Sequence, residues 1–384
     1  MSAYRRPVDA AALGHNFRIF AEAECEAEPL YAALSHAIAT QDDVLALLLQ
    51  APYPQRRPVL LFAATHDLLL AGCAHPLADF YRTCVDDDGA PRGDVDEAGG
   101  LFADFCRVQR DALVESLTQR TVQTNEIGRS AVLRLALATL PPDRPIALID
   151  VGCSAGLNLL VDRYRYAFGL PDGAVRAIGP AGDVVIRAAM VDDLPFGDRA
   201  RAMPTIAQRF GLDLVPLDVR DDRDARWLRA CTWPSDAERH ARLAGALALA
   251  RHITLDLRRG DADRRLPGIL DAIEPTVRPV LFHSWVVSYF DQEAKRRFVD
   301  AARAMVVERD GAWISAEGPG VVPGLPVPSL EADAGATRRE ATLWHITTRD
   351  GDAAAGRVVA RSHPHGRWIE WLATPAGAAV NRPA

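Results

Sequence analysis

The sequence predicts an α/β protein in which an α-helical N-terminal domain precedes a doubly wound, mostly parallel sheet. Up to about residue 140, apolar residues recur at three-to-four spacing, as in "LFADFCRVQRDALVESLTQR", which is typical of amphipathic helices. Beyond "PPDRP" (residues 141–145), short apolar runs such as "IALIDV" and "RPVLFHSW" alternate with helical stretches, which is typical of βαβ units. The last extended runs, in "ATLWHITTRDG" and "GRVVARSHPHGRWIEWL", predict an antiparallel C-terminal hairpin at the edge of the sheet.

The domain boundary is expected at the proline-rich break, because neither flank can continue a helix through it. We therefore expect residues 1–140 to form a helical cap that holds substrate, and residues 141–384 to form a Rossmann-like domain. "SAGLNLLVDRYRYAF" predicts a helix directly after the first strand. Residues 164–204 are expected to be an insertion that carries its own strand, "DVVIRAAMV".

The composition excludes several classes of function. A net charge of −7 argues against a dedicated nucleic-acid binder, which would need a basic face. The only lysine, Lys295, lies in the helical "DQEAKRRF", so neither a P-loop nor Schiff-base chemistry is expected. The six cysteines form no C-x-x-C pair, which argues against a zinc site and a disulfide framework. With no run of signal-peptide or membrane-spanning type, we expect a cytoplasmic protein that acts on a small molecule; the oligomeric state stays open.

The turn after "IALIDV" matches two motifs. In the first, Gly152 to Gly156 is G-x-S-x-G, which would present Ser154 as the nucleophile of an α/β-hydrolase-like esterase. Glu317 could then be the acid, and the histidine could be His345, His363 or His365. A hydrolase of this type needs an earlier strand to build its oxyanion hole, whereas everything before Asp150 is predicted to be helical. A tight turn that binds no ligand is a further alternative.

In the second motif the turn reads D-x-G-x-S-x-G, with Asp150, Gly152, Ser154 and Gly156. This spacing resembles the cofactor loop of class I S-adenosylmethionine (SAM)-dependent methyltransferases, with Ser154 in the place of the middle glycine. Gly152 would let the backbone approach the cofactor, and Gly156 would allow close packing of helix on strand. Ser154 would be tolerated if its φ stays negative. The N–H groups at the start of the following helix would then face the ligand.

The resemblance also implies acidic residues that bind the rest of the cofactor. The acid that bonds the ribose hydroxyls would be Asp213 in "FGLDLVPLD", although it follows Gly156 at an unusually long distance. If "DVVIRAAMV" is the second strand instead, Asp192 or Asp193 would take this role. Asp261 in "RRGDADRRL" would accept from the adenine amino group, or else cap a helix.

The candidates for catalysis and substrate binding come from three other segments. His283, Ser284 and Trp285 end a predicted strand, where ligands bind in this fold, although a buried core histidine is an equal alternative for His283. The segment does not contain D/N-P-P-Y, so the methylated atom stays unassigned. His66 lies within an apolar helix, either as a hydrogen-bonded core residue or as part of a substrate pocket.

The third segment, "QTNEIGRSAVL", groups polar residues just before a helix that leads into the first strand. Glu126 and Arg129 are expected to share one helix face, at i and i+3. If that helix packs antiparallel to the strand, Arg129 could pair with the cofactor carboxylate, and Glu126 could hold its amino group or deprotonate an acceptor. Asn125 would cap the helix or contact the cofactor.

Several motifs together resemble a bacterial family described as a domain of unknown function; they include "QTNEIGR", "DVGCSAGLNLLVDRYRY", "GLDLVPLD", "WLRACTWPSDAERHARL" and "VLFHSWVVSYF". The resemblance implies a methyltransferase-like domain behind a helical region and brings no reaction or substrate. The sequence therefore predicts a SAM-dependent methyltransferase with a small or medium-sized acceptor. The alternatives are the esterase and a non-catalytic protein that keeps the cofactor fold for binding.

Overall fold

The computed structural model describes residues 6, 8–85, 93–196, 202–328 and 341–372 of the 384-residue chain. The helices of these residues are α1 (Ala10–Ala23), α2 (Pro29–Ile38), α3 (Asp42–Leu48), α4 (Pro58–Leu70), α5 (Val95–Val108), α6 (Arg110–Gln119), α7 (Ser130–Leu137), α8 (Asp222–Ala230), α9 (Ala237–Ala250), α10 (Ala262–Leu270) and α11 (Gln292–Glu308). The strands are β1 (Ile146–Val151), β2 (Arg165–Gly169), β3 (Val175–Ile178), β4 (Val185–Met190), β5 (Ile206–Asp213), β6 (Asp256–Arg259), β7 (Arg278–Ser284), β8 (Ala312–Glu317), β9 (Thr342–Asp350), β10 (Ala353–Ser362) and β11 (Trp368–Trp371). A helical N-terminal region followed by a mixed α/β region was expected, and both are present.

The chain divides into two compact units. The helical unit comprises Met1–Thr124 together with Asp218–Ala244, and the sheet unit comprises Asn125–Leu217 together with Gly245–Ala384. This division differs from the boundary expected at residues 141–145. Helix α7 groups with the sheet that it leads into, while α8 and most of α9 group with the N-terminal helices, because α8 packs against α4.

The helical unit is held together by close helix contacts around an aromatic core. The stacked rings of Tyr31 and Phe62 lie 4.4 Å apart, and Phe17 packs edge-on against Phe62. Helices α2 and α5 approach closely where Gly99 faces Ala37, since a Cβ at Gly99 would collide with the Ala37 methyl group. The adjacent Gly100 faces open space. Two neighbouring glycines of one helix therefore have opposite packing requirements.

The described strands form one eleven-stranded sheet in the order β3-β2-β4-β11-β10-β9-β8-β7-β1-β5-β6. Most neighbouring strands are parallel, and β1 lies between β5 and β7, parallel to both. All six residues of β1 are buried, as expected for a parallel strand covered on both faces. Strands β5 and β6 lie on one side of β1, and β7 and β8 lie on the other. The chain therefore adds β5 and β6 first on one side of β1 and then β7 and β8 on the other, which is a reversal of the strand order at β1.

The C-terminal hairpin and the insertion differ from their expected places. Strands β9 and β10 do form an antiparallel hairpin, and β9 also pairs antiparallel with β8. The hairpin is not the edge, because β11 pairs with β10 and, in parallel, with β4. Residues 164–204 contribute β2, β3 and β4 to the same sheet rather than one strand of a separate insertion. The expectation that the C-terminal hairpin forms the edge of the sheet was therefore wrong.

The α-helix expected directly after β1 does not form. Leu157–Leu160 form a short 3₁₀ turn, and "RYAFG" then forms β2. Aromatic residues favour strands, and Tyr166 and Phe168 are both fully buried with their rings stacked 6.1 Å apart. The apolar spacing of "LNLL" was therefore misread as the start of an α-helix. No α-helix N-terminus in the described residues follows the glycine turn directly.

The two glycines of α5 give a matched test of this packing. We expect Gly99→Ala to lower the free energy of unfolding by about 1–3 kcal/mol, the range for overpacking a filled contact. Gly100→Ala should instead raise it by about 0.5–1 kcal/mol, because alanine restricts the unfolded chain and favours helix. Urea unfolding followed by far-ultraviolet circular dichroism measures both. Equal shifts in the same direction would contradict the close contact between α2 and α5.

Candidate functional site

The glycine turn, residues 152–156, leaves the carboxyl end of β1 with three residues in the left-handed region. The φ angles are +75° at Gly152, +52° at Ser154 and +73° at Gly156. A side chain on Gly156 would meet Leu257 Cδ2 at 2.9 Å, so this position packs as closely as expected, although against leucines near β6 rather than against a helix. The glycines therefore serve the turn geometry that the motif predicted.

Ser154 departs from its expectation. Its φ is positive, not negative, and such a conformation costs a non-glycine residue of order 1–2 kcal/mol. Its side chain is 2% exposed, and Oγ has no hydrogen-bond partner among the described residues. A strained residue with an unsatisfied hydroxyl is typical of a functional turn.

Asp213, the last residue of β5, holds the turn in place. Its Oδ2 accepts a 2.8 Å hydrogen bond from the Ser154 N–H, and its Oδ1 accepts one of 2.9 Å from the Val215 N–H. Because β5 is the direct neighbour of β1, Asp213 lies beside the glycine turn. Asp192 and Asp193 follow β4, and β11, β10, β9, β8 and β7 separate that strand from β1. The condition for choosing Asp192 or Asp193, a second strand adjacent to β1, is not met.

Glu317, the last residue of β8, holds the loop on the other side of the turn. Its Oε1 accepts hydrogen bonds from His283 Nδ1 at 2.9 Å and from the N–H groups of Val286 and Val287 at 2.9 and 3.0 Å. Since this oxygen accepts from all three, Nδ1 carries the His283 proton. A side chain on Gly152 would meet Val286 Cγ2 at 2.7 Å, so the loop rests directly on the glycine turn.

Residues 125–130 return to the same edge of the sheet. The Asn125 side-chain N–H donates to the carbonyl oxygen of Cys153 at 3.1 Å, and Ser130 Oγ lies 3.2 Å from Asn158 Oδ1. The shared helix face expected for Glu126 and Arg129 was wrong, because α7 begins only at Ser130 and a 3₁₀ turn precedes it.

Glu126 and Arg129 are both bonded within the chain. Glu126 caps the 3₁₀ turn through Oε1, which accepts from the Gly128 N–H at 2.8 Å. Arg129 donates from Nε to the Pro364 carbonyl oxygen at 2.7 Å. Each is almost fully buried. The carboxyl group of Glu126 and the guanidinium of Arg129 are therefore not exposed for the ligand contacts that the sequence suggested.

The electrostatics of the turn are set by buried carboxyl groups. Burial raises the pKa of Asp150 well above its ordinary value, the neighbouring Asp213 raises it further, and Arg129 opposes the shift. Asp150 Oδ2 and Asn125 Oδ1 have no hydrogen-bond partner among the described residues, like Ser154 Oγ. All three atoms can accept hydrogen bonds. A ligand at this turn would therefore be favoured if it brings donors or positive charge.

The remaining predicted residues lie in different surroundings. Asp261 is exposed at the start of α10 without a side-chain capping bond. His283 is fully buried against the rings of Phe298 and Trp313. Ser284 Oγ lacks a partner in the described chain, while Trp285, with φ +54°, donates from Nε1 to Thr342 Oγ1 at 2.8 Å.

His66 belongs to the helical unit and is fully buried. Its Nδ1 donates to the Ala230 carbonyl oxygen at 3.1 Å, and its Nε2 bonds Thr83 Oγ1 at 2.6 Å. Burial, with smaller contributions from His240 and Arg229, lowers the pKa of His66 to about 3, so the ring is neutral. This is the arrangement of a satisfied core histidine.

Two contributions to the site were not singled out by the sequence reasoning. Glu317 was predicted only as the acid of a hydrolase triad, although a carboxylate that ends a buried strand is a signal for this edge of the sheet. Val286 carries no signal in the sequence, since an apolar residue in a loop gives no sign that it packs against Gly152. Its contact depends on the folding of loop 285–287 over the turn.

Glu317 gives a test of this arrangement. We expect Glu317→Ala to lower the free energy of unfolding by about 3 kcal/mol or more, because two backbone N–H groups and His283 lose their acceptor. Glu317→Gln keeps a side-chain carbonyl oxygen and should cost less, about 1–2 kcal/mol. Glu308→Ala, at the exposed end of α11, is the control and should stay within about 0.5 kcal/mol. Urea denaturation measures the three; an alanine variant that matches the control would contradict the role of Glu317.

Comparison with known proteins places these residues in a family. No helix in the described part of the chain is long and apolar enough to cross a membrane, and no cluster of three or more His, Cys, Asp or Glu there is arranged to hold a metal. A search of curated proteins gives no match. Residues 14–371, which include most of both units and the whole glycine turn, match the family described as "Uncharacterized protein conserved in bacteria (DUF2332)". The chain belongs to this bacterial family, as its motifs indicated.

Proposed function

We propose that the protein is a SAM-dependent methyltransferase that acts on a small or medium-sized organic acceptor. The observation that carries the proposal is the glycine turn at the carboxyl end of β1, surrounded by acceptor atoms without partners in the described chain. The turn lies where the strand order reverses beside β1. In open α/β sheets, ligands bind in the crevice outside the carboxyl ends of the strands at such a reversal.

The chemistry of the surrounding groups fits the parts of SAM. Asp150 Oδ2, Asn125 Oδ1 and Ser154 Oγ would suit its ammonium group and the positive charge of its sulfonium. Each Asp213 oxygen accepts one backbone N–H, and a carboxylate oxygen can accept a second bond, so the two ribose hydroxyls have acceptors. Leu214, 63% exposed beside Asp213, offers an apolar surface for a flat base. Arg129 supplies positive charge close to Asp150.

Methyl transfer from SAM is an in-line displacement at the sulfonium methyl, so alignment of acceptor and donor supplies most of the rate. In this proposal the glycine turn, Asp213 and the loop held by Glu317 position the cofactor. The two residues suggested as bases, Glu126 and His283, are buried and bonded within the chain. Alignment of the cofactor with the acceptor is therefore the catalytic contribution of the site. A base for the acceptor proton stays a prediction.

Calorimetry and thermal unfolding of the full chain with SAM, S-adenosylhomocysteine, NAD and FAD test the proposal. We expect only the first two to bind, and saturating ligand at about 100 times Kd to stabilise the fold by roughly 2.7 kcal/mol. Asp213→Asn should weaken their binding about 10- to 100-fold, since it loses acceptor capacity towards the ribose. Asp192→Asn is the matched control and should bind normally.

No binding of SAM or its product by the wild-type protein would overturn the proposal, and a preference for NAD or FAD would assign the turn to a dinucleotide instead. Unliganded Asp213→Asn should be checked by circular dichroism, because the carboxylate also holds the Ser154 N–H. An equal loss in Asp213→Asn and Asp192→Asn would remove Asp213 from the site.

The esterase alternative is favoured by one observation, the strained φ of Ser154. A nucleophile elbow also requires a helix after the serine, whereas a 3₁₀ turn follows here. We expect fluorophosphonate probes to leave Ser154 unlabelled. Ser154→Gly should keep SAM affinity within about tenfold, because glycine adopts this φ freely and only one neutral acceptor is lost. Mass spectrometry that finds stoichiometric labelling of Ser154, absent in Ser154→Gly, would establish the hydrolase instead.

A further inference from the structure

A second cluster of polar residues lies across β7, β8 and β9. His283 pairs with Ser315 across the parallel strands β7 and β8, and Ser315 pairs with His345 across β8 and β9. Aligned residues of neighbouring strands point to the same face, and so do residues two apart. The same face therefore also carries Trp313, Glu317 and Thr347. We call this set the polar row: His283, Trp313, Ser315, Glu317, His345 and Thr347.

The polar row faces α11. Phe298 of α11 contacts the rings of His283 and Trp313, with centroids 5.4 and 6.3 Å apart. In the register of β1 with β7, Asp150 pairs with Phe282, the residue before His283. Because side chains alternate along a strand, Asp150 and His283 point to opposite faces of the sheet. The polar row therefore lies on the face of the sheet opposite to Asp150.

Every residue of the polar row is at most 6% exposed. Each has one side-chain nitrogen or oxygen atom without a hydrogen-bond partner in the described parts of the chain: His283 Nε2, Trp313 Nε1, Ser315 Oγ, Glu317 Oε2, His345 Nδ1 and Thr347 Oγ1. The α11 residues buried above them are apolar: Phe298, Val299, Ala302, Met305 and Val306. Buried polar atoms are normally satisfied, so six in one patch point to a bound polar group.

The protonation states can be derived from the bonds that are made. His345 Nε2 lies 2.8 Å from the Pro326 carbonyl oxygen and must donate to it, so Nδ1 is an acceptor. Burial, together with His283, lowers the pKa of His345 and keeps its ring neutral. His283 donates from Nδ1 to Glu317, so Nε2 is an acceptor when the ring carries one proton.

The free atoms are therefore mainly acceptors. Glu317 Oε2 is a carboxyl oxygen and accepts, the hydroxyls of Ser315 and Thr347 can accept, and only the Trp313 N–H is restricted to donating. A matching ligand must bring several hydrogen-bond donors in a small volume, and positive charge favours it beside the carboxylate.

We propose that the polar row is a binding site for a small ammonium compound, either the ammonium ion or a primary alkylamine. Its N–H groups, four in ammonium and three in a primary alkylammonium, donate to Glu317 Oε2 and share the other acceptors, which are the two histidine nitrogens and the hydroxyls of Ser315 and Thr347. The site lies on the other face of the sheet from Asp150. It shares Glu317 with the loop at the glycine turn, but binding of an ammonium compound does not require the proposed function there.

Thermal unfolding and calorimetry of the full chain test this site with ammonium, methylammonium, potassium and tetramethylammonium chlorides at equal ionic strength. We expect a concentration-dependent rise in melting temperature with ammonium or methylammonium only. Neither tetramethylammonium nor potassium has an N–H group that could donate to the acceptors of the polar row. Ser315→Ala and Thr347→Val should each weaken this binding about tenfold or more. Thr347→Ser keeps the hydroxyl and should retain it.

Ser35→Ala is the matched control, because Ser35 Oγ is also buried without a partner in the described chain but lies in the helical unit; it should bind ammonium like the wild type. Equal responses to all four salts, or unchanged affinity in Ser315→Ala and Thr347→Val, would overturn the proposal and leave only ordered water as the partner of the row. SAM binding measured on the same samples reports the glycine turn separately, so failure of one site does not imply failure of the other.

Discussion

The backbone N–H groups of the loops around the glycine turn need acceptors, and two carboxylates at the ends of strands provide them. Asp213 at the end of β5 accepts from Ser154 and Val215, and Glu317 at the end of β8 accepts from Val286 and Val287. A buried N–H without an acceptor costs about 1–3 kcal/mol. The positions of both loops, and of everything that they carry, depend on these four hydrogen bonds.

These bonds also hold strained backbone. Ser154 and Trp285 have φ values of +52° and +54°, which cost of order 1–3 kcal/mol each and persist only where the surroundings fix them. Ser154 is bonded directly to Asp213, and Trp285 lies next to the residues that Glu317 holds and is further fixed by Thr342. The strain therefore lies within the loops that the carboxylates hold, on both sides of the β1 end.

The sheet separates two sets of buried acceptors. On one face, burial and Asp213 disfavour the charged form of Asp150, so a cationic ligand would be needed to favour its ionisation. On the face under α11, Glu317 carries its second oxygen into the polar row. Glu317 and His283 lie at or next to the carboxyl ends of β8 and β7, whereas His345 and Thr347 belong to the antiparallel strand β9.

The sequence by itself determined the helical N-terminal region, the alternation of strands and helices, the strand β1 with its glycine turn, and Asp213 and His283 at strand ends. These follow from local patterns: hydrophobic period, glycines that permit positive φ, and polar residues that end apolar runs. Only the tertiary structure decided that "RYAFG" is a strand, that β4 joins β11 instead of flanking β1, that Glu126 caps a 3₁₀ turn, and that Val286 rests on Gly152. The strand pairings and the Val286 contact depend on segments apart in the chain, and their free energy overrides local preference. The Glu126 cap is a local bond, but its 3₁₀ turn replaces the start of the α-helix that the apolar spacing predicted.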